Sequence, residues 1–147
     1  MAYTVAYMKK TPSPLYCYCV IDLSGGADAA SYPVSYLADV PSGGWSDEYK
    51  TTKLVLRLVK PGTFMMNGSC QVTLTKPFYC GVFEVTQKQY ELVTGDKPSR
   101  FNNASYYATR PVEQVSYDMI RCSSAGAGWP GSSAVDGNSF FLRVRLK

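Results

Sequence analysis

The sequence predicts a single α+β domain built from antiparallel strands and two short helices, with long irregular loops. Leucines alternate with other side chains along residues 53–59, which is typical of a β-strand. Asn67 and Gly68 separate two β-prone segments, and this dipeptide is the strongest short signal for a hairpin. Thr86 and Gly95 bound a further segment as the N-cap and C-cap of a helix. Local hairpins and short capped helices together indicate the α+β class.

Length and composition describe a globular chain with two unusual residue counts. The 147 residues are 46% hydrophobic and 18% charged, and the mean hydropathy is -0.13, which excludes a disordered or membrane-embedded class. We therefore expect one domain over residues 1–147. Histidine is absent, which excludes Ser/His/Asp triads, Cys/His dyads and zinc sites with imidazole ligands. Tyrosine, in contrast, is abundant at 12 residues.

Charge and the N-terminal sequence indicate which partners and location to expect. A net charge of +4 without a basic patch does not favour nucleic acid, so we expect no nucleic-acid partner. Residues 1–10 lack the apolar segment of a secretory signal, and no apolar run approaches the ~20 residues of a membrane span. The sequence therefore predicts a cytoplasmic protein without a membrane partner.

The five cysteines occur at spacings that form no disulfide framework. Cys17 and Cys19 lie two apart in a β-prone segment, so a strand would direct both thiols to one face. A soft metal such as Cu(I) suits a thiolate pair, which makes these two residues a candidate metal pair. Small buried thiols in a strand are far commoner, and that interpretation is favoured.

The N-terminal third predicts one strand and a long loop. Residues 15–23 are rich in β-formers and end at Gly25 and Gly26, which indicates a strand entering a turn. Residues 24–48 are rich in Gly, Pro and Ser, yet they include large aromatic side chains such as Trp45. Those side chains need burial, so we expect a structured loop with at most one helical turn.

The middle of the chain predicts a series of antiparallel strands. They are residues 53–59, 63–66, 70–75 and 78–85. In the first of them, Leu54, Leu56 and Leu58 share one face because side chains alternate along a strand. The second and third form a hairpin around the Asn-Gly turn.

Two short helices are predicted from their caps. Thr86 with Gln89 three residues later forms a capping box, and Gly95 suits a left-handed C-cap. Ser116 suits the N-cap of the second helix. A polar, tyrosine-rich loop and an extended segment around Pro111 lie between the two helices.

The C-terminal tail permits two interpretations. Leu142, Val144 and Leu146 alternate with cationic residues, which favours a strand that closes the domain and covers a sheet edge. The alternative is a diverged helical remnant. Glycines and a proline within residues 123–131 exclude regular structure before the tail.

Three motifs resemble the formylglycine-generating enzyme family, also called the sulfatase-modifying-factor family. They are Lys-Pro-Gly-Thr-Phe-Met-Met at 60–66, Val-Thr-Leu-Thr-Lys-Pro-Phe-Tyr-Cys-Gly-Val-Phe-Glu-Val-Thr-Gln-Lys-Gln-Tyr at 72–90, and Arg-Pro-Val-Glu-Gln-Val-Ser-Tyr at 110–117. The resemblance covers residues 51–121, the N-terminal part of the family's domain. Residues 20–58 also resemble the N-terminal extension of some bacterial members. We therefore expect an N-terminal extension over residues 1–50 and a diverged tail over residues 122–147.

The resemblance implies a truncated C-type-lectin-like fold. It also implies an activity, because active members oxidise a substrate cysteine to formylglycine with oxygen and with copper held by two late cysteines. Other relatives bind iron, or bind ligands without catalysis. The family's later motifs and metal-holding cysteines have no counterpart here, so we expect no catalytic residue in this chain.

Candidate binding residues occupy the loops. They are Tyr106, Tyr107, Arg110, Asn102, Asn103 and Trp129. Aromatic, Asn and Arg side chains are the types that binding loops favour, because rigid rings supply contact area at low entropic cost. The alternative is that these aromatic rings pack the loops against the core.

The sequence therefore predicts a non-catalytic module that binds another protein or a small ligand and needs no cofactor. One alternative is a copper-dependent formylglycine-generating oxidase, the only case in which copper is expected. A further alternative is a recruited inhibitor or interaction protein of phage or mobile-element origin, and an inert fragment is the last.

Overall fold

The computed structural model describes residues 5–6, 16–122, 134–135 and 138–147 and confirms the α+β class. The strands are β1 (Val5–Ala6), β2 (Tyr18–Asp22), β3 (Val34–Leu37), β4 (Lys53–Val59), β5 (Gly62–Met66), β6 (Cys70–Leu74) and β7 (Phe78–Gly81). The helices are α1 (Glu48–Thr51), α2 (Gln87–Thr94), α3 (Tyr117–Arg121) and α4 (Phe140–Leu146). None of the helices in the described part has the length and apolar character to cross a bilayer.

Strand β4 lies at the centre of an antiparallel sheet with the order β1-β7-β4-β2-β3. Leu56 pairs with Cys19 of β2 on one side and with Gly81 of β7 on the other. The predicted strand over residues 53–59 is confirmed with the same bounds. Its alternation follows from this position, because a central strand with both faces covered directs apolar side chains to two different clusters.

The main core lies between the sheet and helices α2 and α4. Its buried members are Cys19, Ile21, Leu23, Tyr32, Leu54, Leu56, Tyr79, Tyr90, Val93, Phe140 and Phe141. Leu54 and Leu56 point to this face, and the partly buried Leu58 packs against it, as their shared spacing predicts. Full burial of one such aliphatic side chain stabilises the fold by about 1.5–3 kcal/mol.

A second cluster covers the opposite face of the sheet. Tyr18, Val20 and Val55 form its buried part, and Trp45 packs against them. The Trp45 ring lies 5.1 Å from Tyr18 and 4.8 Å from Tyr49, both in edge-on geometry. Such aromatic pairs contribute about 0.5–1.5 kcal/mol beyond their buried area. The partly buried Trp45 therefore attaches the glycine-rich segment before it to this face of the sheet.

The predicted loop over residues 24–48 contains strand β3, which the sequence did not indicate. Val34 to Leu37 pair with β2 at the edge of the sheet. Pro33 precedes this strand, and its first two residues are exposed, so neither a buried alternation nor a continuous apolar run marks it. An edge strand needs neither, because only one of its sides is paired.

The predicted hairpin is confirmed as strands β5 and β6. Met66 pairs with Cys70 next to the turn, and Phe64 pairs with Val72. Asn67 and Gly68 have φ values of 54° and 71°, the left-handed region that both central residues of a type I′ turn require. Asn and Gly adopt this region at low cost, which is why the dipeptide fixes the turn.

Both predicted helices are confirmed together with their caps. Thr86 Oγ1 accepts from the Gln89 backbone N–H at 3.2 Å, and Gln89 Oε1 accepts from the Thr86 N–H at 2.9 Å. Gly95 ends α2 with a φ of 84°. Ser116 Oγ accepts from the Met119 N–H at 3.2 Å at the start of α3.

The predicted closing strand at the C-terminus is wrong, since residues 140–146 form helix α4. Ser139 Oγ accepts from the Leu142 N–H at 3.4 Å as its N-cap. Phe140, Phe141 and the partly buried Val144 pack on the main core, a helical spacing that outweighs the alternation. With α1, the described part contains two helices beyond the two predicted ones. The predicted break over residues 123–131 lies outside the described residues.

Candidate functional site

The loop over residues 101–110 is held on helix α2 by hydrogen bonds to its main-chain carbonyls. The Gln87 N–H donates to the Arg110 carbonyl at 2.8 Å, and Gln87 Nε2 donates to the Phe101 carbonyl at 3.0 Å. Thr86 forms a β-bridge with Pro111 just beyond the loop. The buried amide of Gln87 therefore ties the first residue of the loop to the start of the helix, while the Gln87 N–H ties down its last residue.

A turn that begins at Asn103 leads into the two adjacent tyrosines of the loop. The Asn103 carbonyl accepts from the N–H groups of Tyr106 at 3.0 Å and Tyr107 at 2.9 Å. Asn103 Oδ1 also accepts from the Ser105 N–H at 2.9 Å, which is the local bond that Asn favours in turns. Asn103 therefore shapes the loop, whereas Asn102 is exposed beside it.

Phe101, Tyr106 and Arg110 form an exposed surface that we name the aromatic–arginine patch. The Arg110 guanidinium lies 6.0 Å from the Phe101 ring centre and 5.8 Å from that of Tyr106. Its Nη1 donates to the Phe101 carbonyl at 3.2 Å. Phe101 and Tyr106 are 61% and 62% exposed. Contact with two aromatic rings holds the Arg110 cation in place. Because both rings are more than half exposed, they remain accessible to a ligand.

Arg100 adds a second cation to this surface, since its guanidinium lies 5.9 Å from the Phe101 ring centre. Two guanidinium groups therefore approach one exposed ring. A guanidinium presents a planar array of donors that matches carboxylate and phosphate groups. The chemistry of the patch thus suits a ligand that combines apolar surface with an anionic group.

Tyr107 points in the opposite direction and anchors the loop. Its hydroxyl donates to Glu91 Oε2 at 2.7 Å, and Lys88 and Lys97 pair with the same carboxylate at 3.1 Å and 3.0 Å. Burial alone would raise the pKa of Glu91, but hydrogen bonds from Tyr107, Lys97 and Lys88 outweigh it and lower the pKa to about 2. Burial and the Glu91 carboxylate raise the pKa of Tyr107.

Glu91→Gln is expected to remove a pH-dependent part of the stability. The pKa of Glu91 is lowered from 4.5 to about 2 in the folded protein, so its charge stabilises the fold above about pH 4.5 and this contribution is lost as the pH falls towards 2. At neutral pH the variant should be less stable by about 2 kcal/mol, since solvent screens part of the full effect. Urea unfolding across this pH range measures the difference.

The matched control is Glu84→Gln, which removes an exposed carboxylate outside this network. Its stability should follow that of the wild type at every pH. A Glu91→Gln difference that stays constant from neutral pH to pH 2 would contradict the assigned role of the Glu91 charge.

The structure brings together some of the sequence-predicted binding residues and separates others. Tyr106 and Arg110 share the patch, Tyr107 is turned inward, and Trp129 lies outside the described residues. Phe101 was not among the predicted binding residues. The signal that could have found it is its place between Arg100 and the polar run after it, because a large apolar residue is unusual there.

The candidate metal pair does not have the predicted geometry. Cys19 is fully buried in the main core, whereas Cys17 packs against the second cluster, so the two side chains lie on different faces of the sheet. Strand β2 begins at Tyr18, directly after Cys17. Burial raises the pKa of the Cys19 thiol to about 11. Within the described residues, no three His, Cys, Asp or Glu side chains cluster as a metal site.

Comparison with known proteins gives one partial match. The chain is 44% identical over 75 residues to a protein named Chaperone protein LppX from Paenibacillus barcinonensis. The aligned region covers 48% of this chain and 25% of that protein, so the chain spans about a quarter of its relative's length. No protein-family model matches the chain, and no solved structure matches it.

Proposed function

We propose that this chain is a non-catalytic domain of the formylglycine-generating-enzyme type, with a truncated C-type-lectin-like fold, that binds another protein or a small ligand. The observation that carries this proposal is the aromatic–arginine patch. Its two rings are more than half exposed, although aromatic residues of α2 and α4 are buried in the main core. Exposed aromatic and Arg side chains together are typical of the residues that dominate binding energy.

The support from the loop geometry is its preorganisation. Gln87 and Tyr107 fix the loop on α2 through hydrogen bonds, and Asn103 fixes the turn within it. None of these bonds uses the rings of the patch. A ligand would therefore meet side chains that are already positioned, which lowers the entropic cost of binding. A loop that served only to fill space would bury its aromatic rings.

A protein is the partner class that the comparison favours. The relative is named a chaperone protein, and its aligned region includes nearly half of this chain. The match of 44% identity over 75 residues supports a shared binding role and does not identify a shared client.

The test compares capture from the host lysate by the immobilised wild type and by the double variant Tyr106→Ala, Arg110→Ala. We expect the double variant to capture at least about tenfold less of each specifically bound component than the wild type does, because residues of these types dominate binding energy. Mass spectrometry quantifies the captured material. Thermal unfolding of both proteins shows that the fold is unchanged.

Tyr117→Ala is the matched control, because Tyr117 is an exposed tyrosine at the start of α3 and outside the patch. It should capture as much as the wild type. Equal capture by the double variant, or no capture by the wild type, would exclude the patch as the binding surface.

A further inference from the structure

The hairpin of β5 and β6 has one apolar face. Its register places Phe64 opposite Val72 and Met66 opposite Cys70. Because side chains alternate along each strand, these residues and Leu74 share one face of the hairpin. Phe64 and Met66 are each 47% exposed. An exposed apolar face of this kind marks an interaction surface.

The opposite face of the hairpin is different in character. The hydroxyl groups of Thr63 and Thr73 lie 3.0 Å apart across the strands and form a hydrogen bond. Gln71 is exposed on the same face, where Met65, at 54% exposure, is the only apolar side chain of β5. The asymmetry between the faces indicates that the apolar one is adapted to contact.

Both edges of the hairpin are open within the described residues. Strands β5 and β6 form a separate two-stranded sheet, and no other described strand pairs with either of them. Their outer N–H and C=O groups are available to an added strand, which is how many peptides bind to sheets. A two-stranded ribbon is only marginally stable alone, so an added strand would stabilise it.

The charge around the hairpin selects among possible occupants. Residues 49–83 contain no Asp or Glu. Lys60 and Lys76 are exposed at the base of the hairpin, and neither takes part in an ion pair with the described residues. A second copy would bring the same cations, and a bilayer would leave the open edges without hydrogen bonds. An acidic polypeptide can both neutralise the two lysines and form hydrogen bonds with an open strand edge.

We propose that the hairpin binds, by strand addition, an apolar β-segment of another protein that carries acidic residues at one end. The added strand pairs with an open edge and lays alternate apolar side chains against the face of Phe64, Met66 and Val72. Its acidic end lies near Lys60 and Lys76 at the base of the hairpin. This inference rests on the proposed binding function and assigns it a second surface and a partner chemistry.

The test is selection of a phage-displayed random peptide library on the purified wild-type chain. We expect enrichment of peptides with alternating apolar residues and with Asp or Glu at one end. Fluorescence anisotropy then measures the enriched peptides on the double variant Phe64→Thr, Met66→Thr, which keeps β-propensity and removes the apolar face. Binding should weaken at least about tenfold, as expected for the loss of two buried apolar contacts.

Met65→Thr is the matched control, since it changes an equally exposed side chain on the other face. It should bind within about twofold of the wild type. Peptides without acidic residues, or equal binding by the face variant, would overturn the proposal. Self-association that the face variant abolishes, or binding to phosphatidylglycerol vesicles that it abolishes, would also overturn it. Peptides that depend on Tyr106 and Arg110 alone would overturn it while leaving the proposed function in place.

Discussion

Phe140→Ala should lower the free energy of unfolding by about 3–5 kcal/mol, the usual cost of truncating a buried aromatic side chain. Phe140 is buried and stacks on Tyr90, with ring centres 5.6 Å apart and planes inclined by 8°. The Phe141 ring contacts the Phe140 ring edge-on, with ring centres 6.0 Å apart. The variant leaves a cavity between α2 and α4 that these rings cannot fill. Guanidinium unfolding followed by circular dichroism measures the loss.

The size of this effect depends on α4 being part of the core. Tyr32 in the loop after β2 donates its N–H to the carbonyl of Lys147 at 2.8 Å, and the Lys147 ammonium lies 5.4 Å from the Tyr32 ring centre. The last residue of the chain is therefore fixed to the N-terminal half. Loss of packing at Phe140 would therefore also weaken the contact between Tyr32 and Lys147.

Phe101→Ala serves as the control for Phe140→Ala, because it truncates the same residue type at an exposed position. Its cost should be about 0.5 kcal/mol or less, as is usual for surface substitutions. Similar losses at the two positions would show that α4 does not pack on the main core in solution.

The elements predicted correctly have signals that are local in sequence. The hairpin follows from the Asn67-Gly68 dipeptide, and α2 follows from Thr86, Gln89 and Gly95, whose side chains or backbone conformations make the caps themselves. Each of these signals acts within a few residues, so no knowledge of the rest of the fold is needed. The strand over residues 53–59 is predicted from its alternating leucines. This alternation matches the structure because the strand lies at the centre of the sheet.

Helix α4 could not be predicted in the same way because its sequence fits two periods. Leu142, Val144 and Leu146 alternate as in a strand, while Phe140, Phe141 and Val144 have helical spacing. Contact with Tyr90 of α2 decides between them, and that contact joins residues 50 positions apart. Tertiary packing therefore overrides the local pattern, as it commonly does for short segments.

The candidate site is also predictable only in part from the sequence. Residue types alone predicted Tyr106 and Arg110, which do lie together in the patch. They could not separate Tyr106 from Tyr107, because only the position of Glu91 on α2 draws the second ring inward. The direction of adjacent side chains in a turn depends on backbone conformation and on distant partners, neither of which is encoded in composition.

Gln89→Ala should lower the free energy of unfolding by about 3 kcal/mol, although Gln89 is polar. Its side chain is buried at 1% exposure, and its Nε2 donates to the Lys53 carbonyl at 2.6 Å and the Tyr49 carbonyl at 3.3 Å. Its Oε1 accepts from the Thr86 N–H, so one amide joins α1, β4 and the start of α2. Alanine leaves these groups without the amide as their partner, and each unsatisfied buried group costs about 1–3 kcal/mol. Urea unfolding at neutral pH measures the effect.

Gln71→Ala, on the exposed face of the hairpin, should cost about 0.5 kcal/mol or less and provides the matched control. Gln89→Glu gives a second, independent signature. The introduced carboxylate still accepts from Thr86, but it faces the carbonyls of Lys53 and Tyr49 as an acceptor. Burial and these carbonyls favour its protonated form, which can donate, so the destabilisation should diminish as the pH falls from neutral towards about 4.5 and should be smallest below that pH. A penalty that is the same at neutral and acid pH would show that the buried amide does not donate to the two carbonyls.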